Sequence, residues 1–352
     1  MVRPVRILIL GTGGMANNHA EKFKEIEGVT LAGGVDTRPE QLAAFCAKHG
    51  IERGFSSLDE ALAWGQFDAV TNVTPDAAHY PTTMPILKAG KHVLCEKPLA
   101  TNEAHAGEMA AAAQAAGVIN MVNLSYRNVA ALQEGARLVR EGAIGEIRHF
   151  EASYLQSWLS QPAWGDWATG SQWLWRLSTK HGSKGVLGDI GIHILDFALF
   201  VAGMEAAEVS CRLATFAKAP GDRIGEYLLD ANDSCTMQLV LKNGALGTVA
   251  ATRFATGHLN DLRLRLYGLG GGLEVAWEKD VSRLRLCSGA DVQKAIWRDV
   301  EAPVLANIYQ RFVGAIRGEN APEPDFARAA MLQRLLDRAE QSAAKAGSSL
   351  AV

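Results

Sequence analysis

The chain is poor in cysteine: Cys46, Cys95, Cys211, Cys235 and Cys287 are the only five in 352 residues, and no two of them form a C-x-x-C pair. That scatter supplies neither a disulfide framework nor a zinc cluster, so reduced thiols and no bound metal are expected. Long hydrophobic runs are also missing. No apolar stretch reaches the roughly 20 residues a membrane span needs, and the N-terminus passes into a strand pattern without a signal-peptide core or cleavage site. No membrane partner is expected, and the expected address is the cytoplasm. Charge of one sign is absent too, with 35 basic against 38 acidic residues and a net charge of −3. Such a balance gives no basic field for nucleic acid. No internal repeat or low-complexity linker interrupts the chain. What is present is a hydrophobic share of 48% and a length beyond one ordinary core, which predicts two domains.

The segment from Arg6 to Asp36 carries the most information. An apolar run, Ile7 to Leu10, leads into Gly11-Thr12-Gly13-Gly14-Met15-Ala16, and Asp36 follows 20 positions after Ala16. A buried parallel strand reads as a continuous apolar run, Gly11 permits a tight turn, and Gly13 lets backbone approach a pyrophosphate. The helix that follows presents unpaired N–H groups and a positive dipole end to phosphates. Gly11, Thr12, Gly13, Gly14 and Met15 are therefore the expected pyrophosphate contacts. A second strand, Thr30 to Val35, delivers Asp36, whose carboxylate accepts from the ribose 2′-OH of NAD and repels the 2′-phosphate of NADP. NAD is the expected cofactor. Arg38 leaves NADP open, because a nearby guanidinium can hold a phosphate or stack on adenine.

Strand and helix patterns alternate up to about residue 125. After Asp36 come a helix (39–49), a short strand (54–55), a helix opened by Ser57 and Glu60 as a capping box, and a buried strand (67–74). A helix (80–89), a strand ending at Cys95, a helix (102–116) and a strand (118–122) complete the series. This predicts an α/β, doubly wound Rossmann domain over 1–125, with ligands at the carboxyl ends of its strands. Beyond a helix at 130–141 the pattern changes to strand-like segments at 147–155, 209–216, 235–241, 246–253, 262–267 and 284–287. Asn243-Gly244 is a hairpin signal, and an amphipathic helix is expected at 326–344. A second, α+β domain over 126–352 is predicted, a mostly antiparallel open-faced sheet flanked by helices. Covering its other face calls for subunit pairing, so a homodimer or homotetramer is expected.

Four constellations bear on chemistry. Thr74-Pro75-Asp76 with His79 ends a buried strand beside the Gly-rich turn, and reads either as a dinucleotide contact or as a plain strand-to-helix turn. Glu96-Lys97-Pro98 ends another strand. There a lysine at a water-excluding wall can polarise a substrate oxygen, or the trio can be an exposed turn stopped by proline. Asp189 and His193 stand four apart, with Asp196 three further on. On one helix face they suit proton transfer at a carbinol oxygen, with metal ligation or a core histidine as the competing readings. Finally, Trp158, Trp164, Trp167, Trp173 and Trp175 place five of the eight tryptophans within 18 residues. Trp158, Trp175 and Arg176 read as a surface for a C–H-rich sugar face, or the loop is clamped onto its own domain or a neighbouring subunit.

Together these residues resemble the glucose-fructose oxidoreductase / inositol dehydrogenase (Gfo/Idh/MocA-type) family of NAD(P)-dependent sugar and polyol oxidoreductases. The likeness runs through Gly11-x-Gly13, Thr74-Pro75-x-x-x-His79, Ala89-Gly90-Lys91-His92-Val93-x-x-Glu96-Lys97-Pro98, Asp189-x-x-x-His193 and the Asn243-Gly244 hairpin. The resemblance implies an oxidoreductase passing hydride between a carbinol carbon of a sugar, anhydrosugar, glycoside or polyol and NAD. It implies that Lys97 and His193 form the catalytic pair, with Asp189 orienting substrate and imidazole. Thr74, Pro75, His79 and Glu96 join the cofactor side, a cis peptide precedes Pro98, and Arg127 faces substrate. Asp76 departs from the asparagine usual in the family. The Trp-rich segment, longer than the family core requires, is similar to the lid of members acting on anhydrosugars or glycosides. Competing classes are a glycoside hydrolase or lyase with internally recycled NAD, a cofactor-sensing regulator, and a structural protein.

Overall fold

The computed structural model describes residues 2–162 and 164–352, and they group into two units, 1–125 with 306–333 and 126–305 with 334–352. In the first, β1 (Val5–Leu10), α1 (Gly14–Lys24), β2 (Val29–Val35), α2 (Pro39–His49), β3 (Gly54–Phe55), α3 (Leu58–Trp64), β4 (Ala69–Asn72), α4 (Asp76–Lys88), β5 (His92–Cys95), α5 (Glu103–Ala116) and β6 (Asn120–Val122) alternate. The strands form one parallel six-stranded sheet in the order β3-β2-β1-β4-β5-β6. The order reverses between β1 and β4, the place where a doubly wound sheet leaves a crevice for a dinucleotide. Helix starts follow their caps. Ser57 accepts the Glu60 N–H, and Asn102 accepts the His105 N–H. The strand expected at 67–74 is shorter, and the helix expected from Tyr80 begins at Asp76, because Pro75 occupies its N-cap.

The sequence reading assigned 306–333 to the second domain, whereas the structure groups those residues with the first unit. Helix Ile308–Arg317 lays Ile308, Tyr309, Phe312, Val313 and Ile316 into the core formed by Val5, Ile7, Ala16, Ala20 and Phe23. Phe23 meets Tyr309 and Phe312 edge to face, and Arg317 and Arg3 exchange hydrogen bonds with each other's backbone segment. The apolar stripe of α1 is wider than the sheet alone covers, and this distant helix closes it.

The second unit contains α6 (Ala130–Arg140), β7 (Ile147–Gln156), α7 (Ser171–Leu174), α8 (Ile192–Ala202), β8 (Ala206–Ala214) and a small β9-β10 hairpin (Arg223–Ile224, Tyr227–Leu228). It continues through β11 (Ser234–Leu241), β12 (Leu246–Thr252), β13 (Asn260–Gly268), β14 (Gly271–Glu278), β15 (Val281–Ser288), β16 (Arg298–Val300) and β17 (Leu350–Ala351). Nine strands form one sheet in the order β16-β15-β14-β13-β7-β12-β11-β8-β17, antiparallel throughout except for the β7–β12 pair. Gly244, with φ of 83°, turns β11 into β12 as the hairpin signal required. Helix α8 is buried along its whole length, and α6 packs on it and on β14 and β15. The other sheet face is polar, with Arg265 bridging Glu274 and Glu151 across strands. Among the described residues no helix is long and apolar enough to cross a membrane.

Candidate active site

In the first unit the Gly-rich turn follows β1. Gly11 has φ of 84°, and a Cβ there would meet the Val73 carbonyl oxygen at 2.7 Å, so only glycine fits. The first turn of α1 has Gly13 at its N-cap, no capping side chain and no acid, which leaves its N–H groups open to an anion. Space over Gly14 is clear, and Met15 is 52% exposed beside it. Asp36 is buried. Its Oδ2 accepts from the Thr12 N–H (2.9 Å) and hydroxyl (2.7 Å) and from Arg38 Nη2 (3.0 Å), and its Oδ1 accepts from the Arg38 N–H and Nε (3.0 Å each). Burial works to raise its pKa, but the bonds from Arg38 and Thr12 win and hold it well below the carboxylate range. The Arg38 guanidinium itself remains largely exposed.

At the end of β4, Asn72 accepts from the Thr74 N–H and hydroxyl and donates to Thr82 and Thr83, fixing the Thr74-Pro75 turn. His79 corrects the expectation of a cofactor contact. Its ring is fully buried, and both nitrogens lie on backbone carbonyls, Pro98 at 2.7 Å and Thr74 at 2.9 Å. It ties two turns together and presents nothing to a ligand.

The Glu96-Lys97-Pro98 turn follows β5, with a cis Lys97–Pro98 peptide. Glu96 Oε1 accepts from His19 Nε2 (2.8 Å) and Asn123 Nδ2 (2.6 Å), and its Oε2 accepts the Lys97 N–H (3.2 Å). Burial pushes its pKa up, but His19, Asn123 and the Lys97 charge bring it down to about 2. The network extends from His19 Nδ1 to the Thr71 hydroxyl and from Asn123 to the Tyr309 phenol. His19, Asn123 and Tyr309 were missed from sequence, and only His19 left a signal, a polar residue on the apolar face of α1. Asn123 Oδ1, at the end of β6, is a buried acceptor without a hydrogen-bond partner.

In the second unit a π-helical turn, Leu187–Gly191, carries Asp189 directly into α8 and His193. The expected α-helical pair is thus wound more loosely at its first member, a distortion frequent at functional sites. His193 is 8% exposed, and its ring meets Tyr126 edge to face (5.1 Å). Tyr126 and Tyr154 share a 2.5 Å hydrogen bond between phenols, Tyr154 donates to Asn260, and burial pushes Tyr126 up to about 12, so it stays neutral at working pH. Asp189 Oδ2 accepts from Arg253 Nη2 at 2.9 Å, with Arg176 Nε at 3.8 Å. Arg253, not anticipated, is fully buried over the Trp158 ring and also holds the Arg176 carbonyl. Among the described residues no group of three or more His, Cys, Asp and Glu is placed to hold a metal.

Two further expectations change here. Arg127 is 1% exposed, forked onto Asp196 through Nε (2.5 Å) and Nη2 (2.8 Å) and stacked 3.5 Å from the Phe200 ring centre, so it braces α8 instead of facing substrate. Trp158 is 2% exposed and packs with Leu159, Leu174, Leu177 and Leu229, joined by Trp164, Trp167 and Trp173. Most of the tryptophan segment therefore forms a satellite core. Trp175, 36% exposed with Arg176 over its ring, is the member that faces outward.

An uncapped helix N-terminus after β1, a buried acid after β2 and a lysine turn after β5 sit on a parallel sheet whose residues 5–124 match the model of an oxidoreductase family with an NAD-binding Rossmann fold. Residues 132–274 match the GFO/IDH/MocA C-terminal domain, and the chain belongs to the GFO/IDH/MocA oxidoreductase family. A solved oxidoreductase domain protein from Kribbella flavida superposes with a TM-score of 0.87 at 31% identity, covering 100% of both chains. A solved levoglucosan dehydrogenase, in complex with NADH and levoglucosan, superposes at 0.86 with 25% identity over 99% of this chain and 100% of that one. By sequence, levoglucosan dehydrogenase of Pseudarthrobacter phenanthrenivorans is 28% identical over 258 residues, 69% of this chain and 64% of that enzyme. The chain matches 46–64% of the length of the first four curated relatives.

Proposed function

We propose that this protein is an NAD-dependent dehydrogenase that oxidises a secondary carbinol of a sugar, anhydrosugar, glycoside or polyol. The observation that carries the reading is the set of turns at the carboxyl ends of adjacent parallel strands, Gly11 after β1, Thr74 after β4 and Lys97 after β5. The residues fit the cofactor. The open N–H groups of α1 with Gly11, Thr12, Gly13, Gly14 and Met15 would hold the pyrophosphate, Asp36 and Arg38 the adenosine ribose, and Thr74 and Pro75 the passage between strands. The orphaned Asn123 oxygen supports a nicotinamide at this edge, because a carboxamide N–H would satisfy it. Bound NAD supplies the hydride acceptor.

Removing a hydride from a carbinol leaves a protonated carbonyl unless the hydroxyl proton departs with it. In this reading His193 takes that proton. The Lys97 ammonium stabilises alkoxide character as it develops, on a turn whose backbone N–H the ionised Glu96 accepts. Asp189, pinned by the buried Arg253, orients the substrate and the imidazole. Trp175 and Arg176 offer a flat apolar face and a fork of donors, which suits a sugar ring. Asp36 supports NAD over NADP, and the exposed Arg38 makes the preference adjustable. The free thiols among the described residues support a reducing, cytoplasmic setting, and a homodimer or homotetramer would pair through the solvent-facing side of the nine-stranded sheet, where Leu246 is exposed.

The experiment is initial-rate formation of NADH with inositols, aldoses, anhydrosugars and glycosides, repeated with NADP. Growth of NADH with one class names the substrate type. No signal from any of them, with NAD still bound to the protein, rejects the dehydrogenase.

A further inference from the structure

His79 lies in the first turn of α4 with its ring wholly out of solvent. Nδ1 is 2.7 Å from the Pro98 carbonyl oxygen and Nε2 is 2.9 Å from the Thr74 carbonyl oxygen. A carbonyl only accepts, and a neutral imidazole has one N–H and one lone pair. Either neutral tautomer would set a lone pair against a carbonyl oxygen with no water to intervene. Turning the ring over would put carbon atoms where both nitrogens now are. Only the doubly protonated ring donates to both carbonyls, with the Cys95 side chain as a third hydrogen-bond partner of the imidazole. The charged and titratable groups facing it are Asp76 on its own helix and Cys95 from β5. Burial opposes the charge, yet Cys95, Asp76 and the Pro98 carbonyl together raise the pKa to about 9.

We propose that His79 is a buried imidazolium whose two N–H groups lock the Thr74-Pro75 turn to the Lys97-Pro98 turn, which makes it the positioning residue for the Lys97 ammonium. The two turns end neighbouring parallel strands, β4 and β5. Asn72 fixes the first from within its own strand end, and Glu96 accepts the Lys97 N–H on the near side of the second. His79 is the side chain that bonds to both. The role of Lys97 rests on the proposed function, but the charge state of His79 does not.

The test uses full-length protein labelled with ¹⁵N-histidine, in which His79→Gln removes one of nine histidine signals. That signal should keep both nitrogens protonated up to about pH 9, where an ordinary histidine near pKa 6.5 has long lost its proton. A pyridine-type nitrogen on His79 at pH 8 overturns the proposal. The gap in denaturation midpoint between wild type and His79→Gln is the second readout. Because the folded pKa lies above the unfolded one, the gap should be full below about pH 6.5 and close as pH rises through about 9. A gap independent of pH means a neutral packing residue and refutes the charge. On the substrate found active, His79→Gln should lower kcat about tenfold or more with KM nearly unchanged, and an unchanged kcat removes the positioning role. If no substrate turns over, the spectroscopic and denaturation readouts still decide the charge. Should His79→Gln not fold, the persistent imidazolium signal is sought in wild type and its absence refutes the proposal.

Discussion

Replacing Arg127 distinguishes a structural brace from a substrate contact. The pair it forms with Asp196 is nearly water-free, 1% and 3% exposed, doubly hydrogen-bonded, with the guanidinium stacked on Phe200. Removing one partner of a buried pair leaves the other charge uncompensated, a loss of about 3–5 kcal/mol. At about 2–4 °C per kcal/mol for a unit of this size, the melting temperature should fall by roughly 6–20 °C. Arg127→Met and Asp196→Ala should both show this in circular-dichroism melts. The double variant Arg127→Met/Asp196→Leu, which buries no charge, should recover most of the loss. Steady-state KM for the sugar, measured well below the melting range, should change little in all three. A variant at Arg127 that melts like wild type while its sugar KM rises would refute the reasoning and return this guanidinium to the substrate.

Other perturbations read the remaining parts of the molecule. Asp36→Ser removes the charge that repels a 2′-phosphate and releases Arg38, so the NAD/NADP ratio of kcat/KM should fall on the order of tenfold or more. Lys97→Ala or His193→Ala should cut kcat on the order of a hundredfold or more while the NAD dissociation constant, read by fluorescence titration, stays nearly intact. Glu96 has a folded pKa near 2, below its ordinary 4.5, so its contribution is present above pH 4.5 and is lost as pH falls through about 2. The stability gap between wild type and Glu96→Gln should therefore be widest above pH 5 and narrow on acidification, as followed by urea denaturation.

What sequence revealed here was what short-range pattern encodes. The run Ile7 to Leu10, the glycines after it and Asp36 form one local unit, and each has a job that neighbours in sequence define. Sequence also singled out Lys97, Asp189 and His193 as candidates, because unusual residues at strand and helix ends are visible without a fold, and their catalytic roles stay with the proposed function. It failed where partners are distant. Arg127 reads as a polar residue on a turn until Asp196, 69 positions away, is folded against it. Arg253 follows an ordinary strand, and its hold on Asp189 spans 64 positions. His79 reads as a cofactor contact or a plain turn from its place after a strand, and Trp158 as a sugar surface or part of a clamped loop, and burial decides for the packed alternative in both.

The helix Ile308–Arg317, which completes the core of the nucleotide-binding unit, is made late. A ribosome building this chain releases the whole parallel sheet long before that helix exists. Until then the outer face of α1, with Phe23 at its centre, has no cover. The first 125 residues are thus held in waiting during synthesis, and the second unit has every strand but β17 translated before the first can finish. Cutting the chain at the end of the Rossmann alternation should give a sticky, chaperone-dependent fragment, whereas a circular permutant that starts near Ala306 and runs through Val352 linked to Met1 should let the nucleotide-binding unit close on itself as it emerges.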